Sequence, residues 1–278
     1  MSSETVERSS DEDFAGFFGK IPSHGDFVSR RLSSDFVGAW DRWLAECVSH
    51  SRGQLGDRWL GCYLSSPVWR FAISAGLCGE SAWAGVIIPS VDKVGRYYPL
   101  TLCAKLSEEH GPLEALESLG GWYGAVEQLA LSCLDDDFDL DAFDDKLSKL
   151  GHPVIDVAGL QSKAVSAQDD GGETNKCWRL GVSALEDPTT AYQRLLYHAL
   201  GELFALYSLW WTDGSSLVQP SLLVSKGLPS TAGYSAFLDG AWSTWGWQDK
   251  GPQQASTPVV DEVALIISGG DIDPPDVT

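Results

Sequence analysis

Methionine is nearly absent: the 278-residue chain contains one. A core without that flexible thioether is built from side chains of fixed shape. The chain supplies them as twelve Trp, ten Phe and eight Tyr. Basic residues are scarce too. Nineteen Lys and Arg stand against 39 Asp and Glu, for a net charge of −20. That deficit argues against non-specific binding of nucleic acid, where affinity comes from many Lys and Arg contacts to phosphate. It argues equally against adhesion to anionic lipid. No apolar run approaches the roughly 18 residues of a membrane helix; the longest near the C-terminus is Val263–Ile267. The first thirteen residues are polar and acidic, so neither a signal peptide nor direct membrane insertion is expected. The six cysteines, at 47, 62, 78, 103, 133 and 177, form no CxxC pair. That pattern predicts reduced, buried thiols in a cytoplasmic protein.

Signatures of chemistry are missing as well. The one candidate P-loop, at Gly19-Lys20, has Ile21 after its Lys and Phe14 where its first Gly belongs. There is no GxGxxG dinucleotide fingerprint and no GxSxG elbow. Ser23, His24 and Asp26 are triad residue types, but neighbours this close in sequence do not align nucleophile, base and orienter. Five histidines without HxxxH give no zinc pattern. The acidic run Asp135–Asp141 lacks the EF-hand turn glycine and terminal Glu, because Leu140 and Lys146 stand at those places. It reads as a solvated turn capping the next helix. No catalytic residue, metal or cofactor is therefore expected.

What is present is an ordinary globular balance, 44% hydrophobic and 21% charged, which excludes a mainly disordered or coiled-coil chain. The charge is uneven. Residues 1–19 hold one basic and five acidic side chains, residues 20–105 ten and seven, and residues 106–278 eight and 27. Such asymmetry can steer an anionic partner to one face; equally, acids keep an aromatic-rich protein soluble.

Periodicity predicts a helix over about 34–49, capped by Ser33 or Ser34, with Phe36, Trp40, Trp43, Leu44 and Cys47 on one face. A core helix is expected over about 188–207, with Asp187 as N-cap and Pro188 at its first position. Another helix lies within 112–132. Strands are expected at Ala84–Ile88, Tyr97–Ala104, Lys176–Val182, Leu206–Thr212 and Ser221–Ser225, the last two forming a hairpin around Asp213-Gly214. Intermixed helices and strands predict a layered α/β or α+β domain. The expected organisation is a flexible leader over 1–13, a single domain over 14–247 and an acidic Pro/Gly-rich tail over 248–278. Within the tail, 259–267 either docks as a last strand or does not. Residues 161–176 read as an exposed loop.

The remaining signal is a set of Gly, Pro, Arg and Trp turns. Gly19–Val28 reads GKIPSHGDFV, Arg30-Arg31 precede the first helix, and Ser65–Phe71 reads SSPVWRF. Pro89–Leu100 reads PSVDKVGRYYPL, where Asp92 and Arg96 flank a glycine turn and are placed to pair across it. These turns either fix loop geometry alone or form a basic–aromatic recognition surface, since Trp, Tyr and Arg are the usual interface anchors.

In these pieces the chain resembles the TagF (ImpM) family, accessory proteins of bacterial type VI secretion. FFGKIPSHGDFVSRRL, FVGAWDRWL, WLGCYLSSPVWRFAISAGLCG and WAGVIIPSVDKVGRYYPLTL carry the likeness over 17–104, and SLWWTDGSSLVQPSLLVSKGLPS with Phe237–Gly240 carries it over 208–240. Residues 106–185 carry no matching motif. The resemblance implies a three-layer α/β/α sandwich with a mixed or largely antiparallel sheet. It implies a non-catalytic cytoplasmic regulator, a post-translational repressor that binds the forkhead-associated scaffold protein of the secretion system. Some members carry a fused phosphatase domain, for which this sequence shows no metal-binding motif. The expected partner surface is Arg30, Arg31, Trp69, Arg70, Asp92 and Arg96. The alternatives are a structural accessory subunit of the apparatus, or a hydrolase with an unfamiliar site around Gly25-Asp26 and Asp92.

Overall fold

The computed structural model describes residues 14–135, 137–155 and 191–250. The chain divides into a large unit ending at Trp247 and a short one from Gln248 to Thr278. Its strands are β1 (Gly16–Gly19), β2 (Val28–Arg30), β3 (Trp69–Ile73), β4 (Trp83–Ile88), β5 (Leu100–Lys105), β6 (Tyr207–Thr212) and β7 (Ser221–Lys226). Its helices are α1 (Ser34–Leu55), α2 (Trp59–Leu64), α3 (Pro112–Ser118), α4 (Gly120–Leu131), α5 (Leu140–Lys149), α6 (Ala191–Leu203) and α7 (Ser235–Asp239). The strands form one sheet in the order β2-β1-β5-β4-β3-β6-β7. Every neighbouring pair is antiparallel. The class is α/β, one of the two layered classes expected from the residues and the one the family resemblance implies.

Alternation along the strands sends side chains to two cores. Phe18, Phe71, Trp83, Cys103 and Trp210 face α1, α2 and α7. Phe17, Ala72, Ala84, Val86 and Leu102 face α4 and α5. The first core is an aromatic slab. Trp40 of α1 sits 4.7 Å from Phe71 and 4.9 Å from Trp43 between ring centres, and Phe36 sits 4.3 Å from Trp83. The indole N–H of Trp40 donates to Thr101 Oγ1 at 2.9 Å, so the buried polar group is matched. Gly85 makes room for the slab. A Cβ there would lie 2.7 Å from the Phe71 ring and 2.4 Å from the Leu102 carbonyl oxygen.

Local chemistry explains most boundaries. Ser33 caps α1 by accepting from the Phe36 N–H. The helix runs to Leu55, past the expected end, because Ser51 and Leu55 continue its buried face; Gly56, at φ 53°, stops it. Asp139 caps α5 through the Ala142 N–H at 2.7 Å, the role read for the acidic run. The segment 112–132 is two helices, with a break at Leu119 ahead of Gly120-Gly121. The Tyr97–Ala104 strand starts late, at Leu100; before it Tyr97 makes only an isolated bridge to Val91. The long 188–207 helix is a correction. Its described part is α6, and Leu195, Leu196 and Leu203 stay exposed while Leu200 is buried against Tyr207, Leu209 and Leu113. Its apolar face is wider than the patch it packs on. The expected Asp187 cap, the Lys176–Val182 strand, the 161–176 loop, the 1–13 leader and the 259–267 piece lie outside the described residues.

Candidate functional site

Among the described residues, a dense set of polar contacts lies where two loops meet beyond β1 and β5. Gly19 ends β1 at φ 144°, and a Cβ there would stand 2.2 Å from the Pro99 carbonyl oxygen. Only glycine allows that approach. It brings Lys20 beneath the 91–97 turn with its side chain 6% exposed. There Nζ donates to Asp92 Oδ2 at 2.6 Å.

Asp92 is the hub, and its side chain has no exposed surface. Oδ1 accepts from the backbone N–H groups of Val94 at 3.0 Å and Arg96 at 2.8 Å. Oδ2 also accepts from Arg96 Nε at 2.6 Å. Gly95 completes the turn at φ 84°. Burial alone pushes the Asp92 carboxyl pKa up; the bonds from Lys20, Arg96 and Val94 overcome it and hold the group well below the usual carboxylate range. The turn is then stitched to the first loop. The Lys93 N–H donates to the His24 carbonyl at 2.9 Å, and Arg96 Nη2 donates to the Gly25 carbonyl. Ser90 Oγ donates to the Lys20 carbonyl at 2.7 Å, and Ser90 exchanges hydrogen bonds with the Tyr63 hydroxyl.

The surface above this network is cationic and apolar. Phe27 is 44% exposed, yet stacks on Phe18 at 5.6 Å and meets Tyr98 edge-on at 4.8 Å. Lys20 Nζ lies 5.1 Å from its ring centre. Val94 is 68% exposed, and Lys93 and Arg96 flank it. An exposed aromatic ring held on three sides is a preformed anchor, because little side-chain freedom remains to be lost on contact. As for acid–base chemistry, four donors saturate Asp92. Asp26 Oδ1 accepts from the Phe27 N–H at 2.8 Å, and Ser23 Oγ lies 2.8 Å from His24 Nδ1.

The six expected surface residues do not form one patch. Asp92 and Arg96 come together, one as buried hub and the other as its exposed clamp. Arg30 is exposed on edge strand β2, its Nη1 turned back to the Ser29 carbonyl at 2.9 Å. Arg31 is a tie: Nε donates to the Ala15 carbonyl at 2.8 Å, and Nη1 stands 2.6 Å from Asp144 Oδ1 of α5. It holds φ 55°, a conformation that only glycine adopts otherwise among the described residues. Arg70 is another tie, 2.5 Å from Glu127 of α4 and 2.7 Å from Asp213. Trp69 is 2% exposed, 4.5 Å from Phe237, with its indole N–H on the Phe237 carbonyl at 3.2 Å. Neighbours in sequence, Trp69 and Arg70 point to opposite faces of β3. Sequence reasoning missed Lys20, Phe27 and Val94. The apolar FFG run ahead of Lys20 was the available signal for the first.

Residues 16–150, which contain both loops, match the TagF N-terminal domain, a type VI secretion system-associated domain. Among solved structures the chain is similar to PA0076 from Pseudomonas aeruginosa PAO1. The two are 35% identical with a TM-score of 0.67, over 81% of this chain and 94% of that one. No curated protein matches the chain.

Proposed function

Because the chain belongs to the TagF family of type VI secretion-associated proteins, we propose that it is a non-catalytic cytoplasmic regulator that represses this secretion system after translation. It does so by binding the system's forkhead-associated scaffold protein. The observation that carries this reading is the Lys20–Asp92–Arg96 network. Its chemistry is consumed internally, and its effect is to hold Phe27, Lys93, Val94 and Arg96 on an exposed tip. A group meant for proton transfer or nucleophilic attack keeps a free lone pair facing substrate; Asp92 has none to offer. A rigid aromatic–cationic tip suits recognition instead. Arg30, exposed on β2, is proposed to extend the contact surface. Among the described residues no helix is long and apolar enough to cross a membrane.

The test is affinity purification of the tagged full chain from cells expressing the secretion genes, read by mass spectrometry. The expected result is substoichiometric recovery of the scaffold, lost when Lys93→Glu and Val94→Asp are combined. Recovery of the assembled machine with many copies of this chain would identify a structural subunit and overturn the regulator reading. Recovery of no secretion component would overturn it as well.

A further inference from the structure

The arginines of the described residues are not equivalent. Arg31, Arg70 and Arg96 each meet a carboxylate. Arg52, near the end of α1, makes no ion pair or side-chain hydrogen bond among the described residues; its guanidinium instead lies 4.2 Å from the ring centre of Trp59. Trp59 is itself fixed. Its indole N–H donates to Ser51 Oγ at 2.9 Å, and Ser51 Oγ donates to the Val48 carbonyl at 2.9 Å. Tyr63 stacks on the indole at 4.8 Å, and Tyr97 meets it edge-on at 5.9 Å. A guanidinium laid on an immobile indole has given up much of its rotamer freedom during folding. A ligand that engages it meets less of that entropy cost. Its planar donor fork stays open, and that fork fits a carboxylate with two parallel bonds.

Beside Arg52 opens a cleft of about 350 Å³, lined by Arg52, Gly56, Asp57, Trp59, Leu60 and Tyr97. Leu60 is 41% exposed at its wall, and Leu64, one turn further along α2, is 56% exposed. The cleft therefore offers one preset cation, an apolar wall and a single acid, Asp57. We propose that it binds an acidic peptide segment of a partner protein. A carboxylate sits on Arg52 and the next apolar side chain lies against Leu60 and Tyr97. Charge complementarity selects this occupant. Within a chain of net −20, residues 20–105 hold ten basic and seven acidic side chains, and Arg52 is the cation lining the cleft, with no ion pair among the described residues. Asp57 sharpens the choice: it repels a second carboxylate, so one acid followed by an apolar residue fits better than an acidic run. This assignment does not rest on the repressor reading; it concerns the cleft beside Arg52 and Trp59, whose lining includes neither Lys93 nor Val94.

The experiment uses the full chain with 15N-labelled tryptophan, whose twelve indole N–H groups report separately by NMR; Trp59→Phe identifies the Trp59 signal. The probe is the synthetic peptide acetyl-Gly-Glu-Leu-Gly-amide. The expected result is a saturable shift of the Trp59 signal at millimolar peptide, weakened about tenfold or more when Glu is replaced by Gln or when Arg52→Gln is introduced. Arg52→Lys, which keeps the charge without the planar fork, is expected to fall between. The other indole signals of Arg52→Gln, unmoved from wild type, verify the fold. No saturable shift up to about 10 mM, or equal binding by Arg52→Gln, would overturn the proposal. A phosphoserine-Leu peptide binding about tenfold tighter than the Glu-Leu peptide would overturn the carboxylate assignment in favour of a phosphate ligand.

Discussion

At the residue scale, Asp92 has the largest consequence for its size. A buried carboxylate without partners is costly, and here Lys20, Arg96 and two backbone N–H groups compensate it. Removing the charge strands Lys20 in a site where it is 5% exposed. Asp92→Asn is expected to lower Tm by roughly 5–10 °C, measured by calorimetry at neutral pH. The pH dependence has a definite sign. The folded pKa is depressed, so the network stabilises the protein at pH values above the unfolded carboxylate pKa of about 3.9. That contribution decays as pH falls below this value toward the folded one. Asp92→Asn is therefore expected to flatten the acid limb of a stability–pH profile; an unchanged limb would contradict the assignment.

Trp69 marks the opposite case, a residue whose type suggests an interface and whose strand parity buries it. Trp69→Ala is expected to cost about 3–5 kcal/mol of stability, read by urea unfolding. Any loss of partner binding in that variant is expected to track unfolding rather than contact. Among the sequence candidates only Arg30 and Arg96 remain exposed to a partner, since Arg31, Trp69, Arg70 and Asp92 are engaged inside the fold.

At the scale of elements, the sheet and the aromatic slab depend on each other. Gly85 sits mid-strand in β4 opposite Phe71 and Cys103. Gly85→Ala forces a methyl group into backbone and ring atoms and is expected to destabilise by about 1–3 kcal/mol. Gly85→Ala with Phe71→Leu is expected to recover part of that loss, read as a smaller shift in urea midpoint than the two single changes sum to.

Elements with strong periodicity were legible in the sequence: α1 by its 3–4 spacing and Ser33 cap, and the β6–β7 hairpin by Asp213-Gly214. β3 was not, because its WRF core alternates inward Trp69 and Phe71 with a cation that pairs across to α4, and that pattern also describes a recognition surface. The two-helix split at Leu119 was hidden by continuous apolar spacing. The site was half legible. Asp92 and Arg96 across Gly95 follow from turn chemistry. Lys20 joins them only through the Gly19–Pro99 approach between distant segments, which no local pattern encodes. Arg52 on Trp59 is likewise a contact of tertiary structure.

At the scale of the whole molecule, five cysteines (47, 62, 78, 103 and 133) are free and buried. Burial pushes the thiols of Cys78 and Cys133 up to about 12 and those of Cys47 and Cys103 upward as well. A thiol-specific reagent such as DTNB is therefore expected to leave these five unmodified in the native protein at pH 8, with all six reacting after unfolding. Fast native reaction of two or more thiols would contradict the packing described. The excess negative charge lies mostly after residue 105, whereas the proposed tip falls in the segment with more basic than acidic residues. Binding of an acidic partner to that tip is accordingly expected to weaken as salt rises.

The Phe27–Lys93–Val94–Arg96 tip is proposed to hold the forkhead-associated scaffold. The most direct measurement is a calorimetric titration of the purified scaffold into the wild-type chain and into the Lys93→Glu/Val94→Asp variant, with equal Tm values as the control for folding. The expected result is a saturable complex with the wild type and a loss of at least about tenfold in affinity for the variant. Equal affinity for the two folded proteins, or no complex with the wild type, would contradict it.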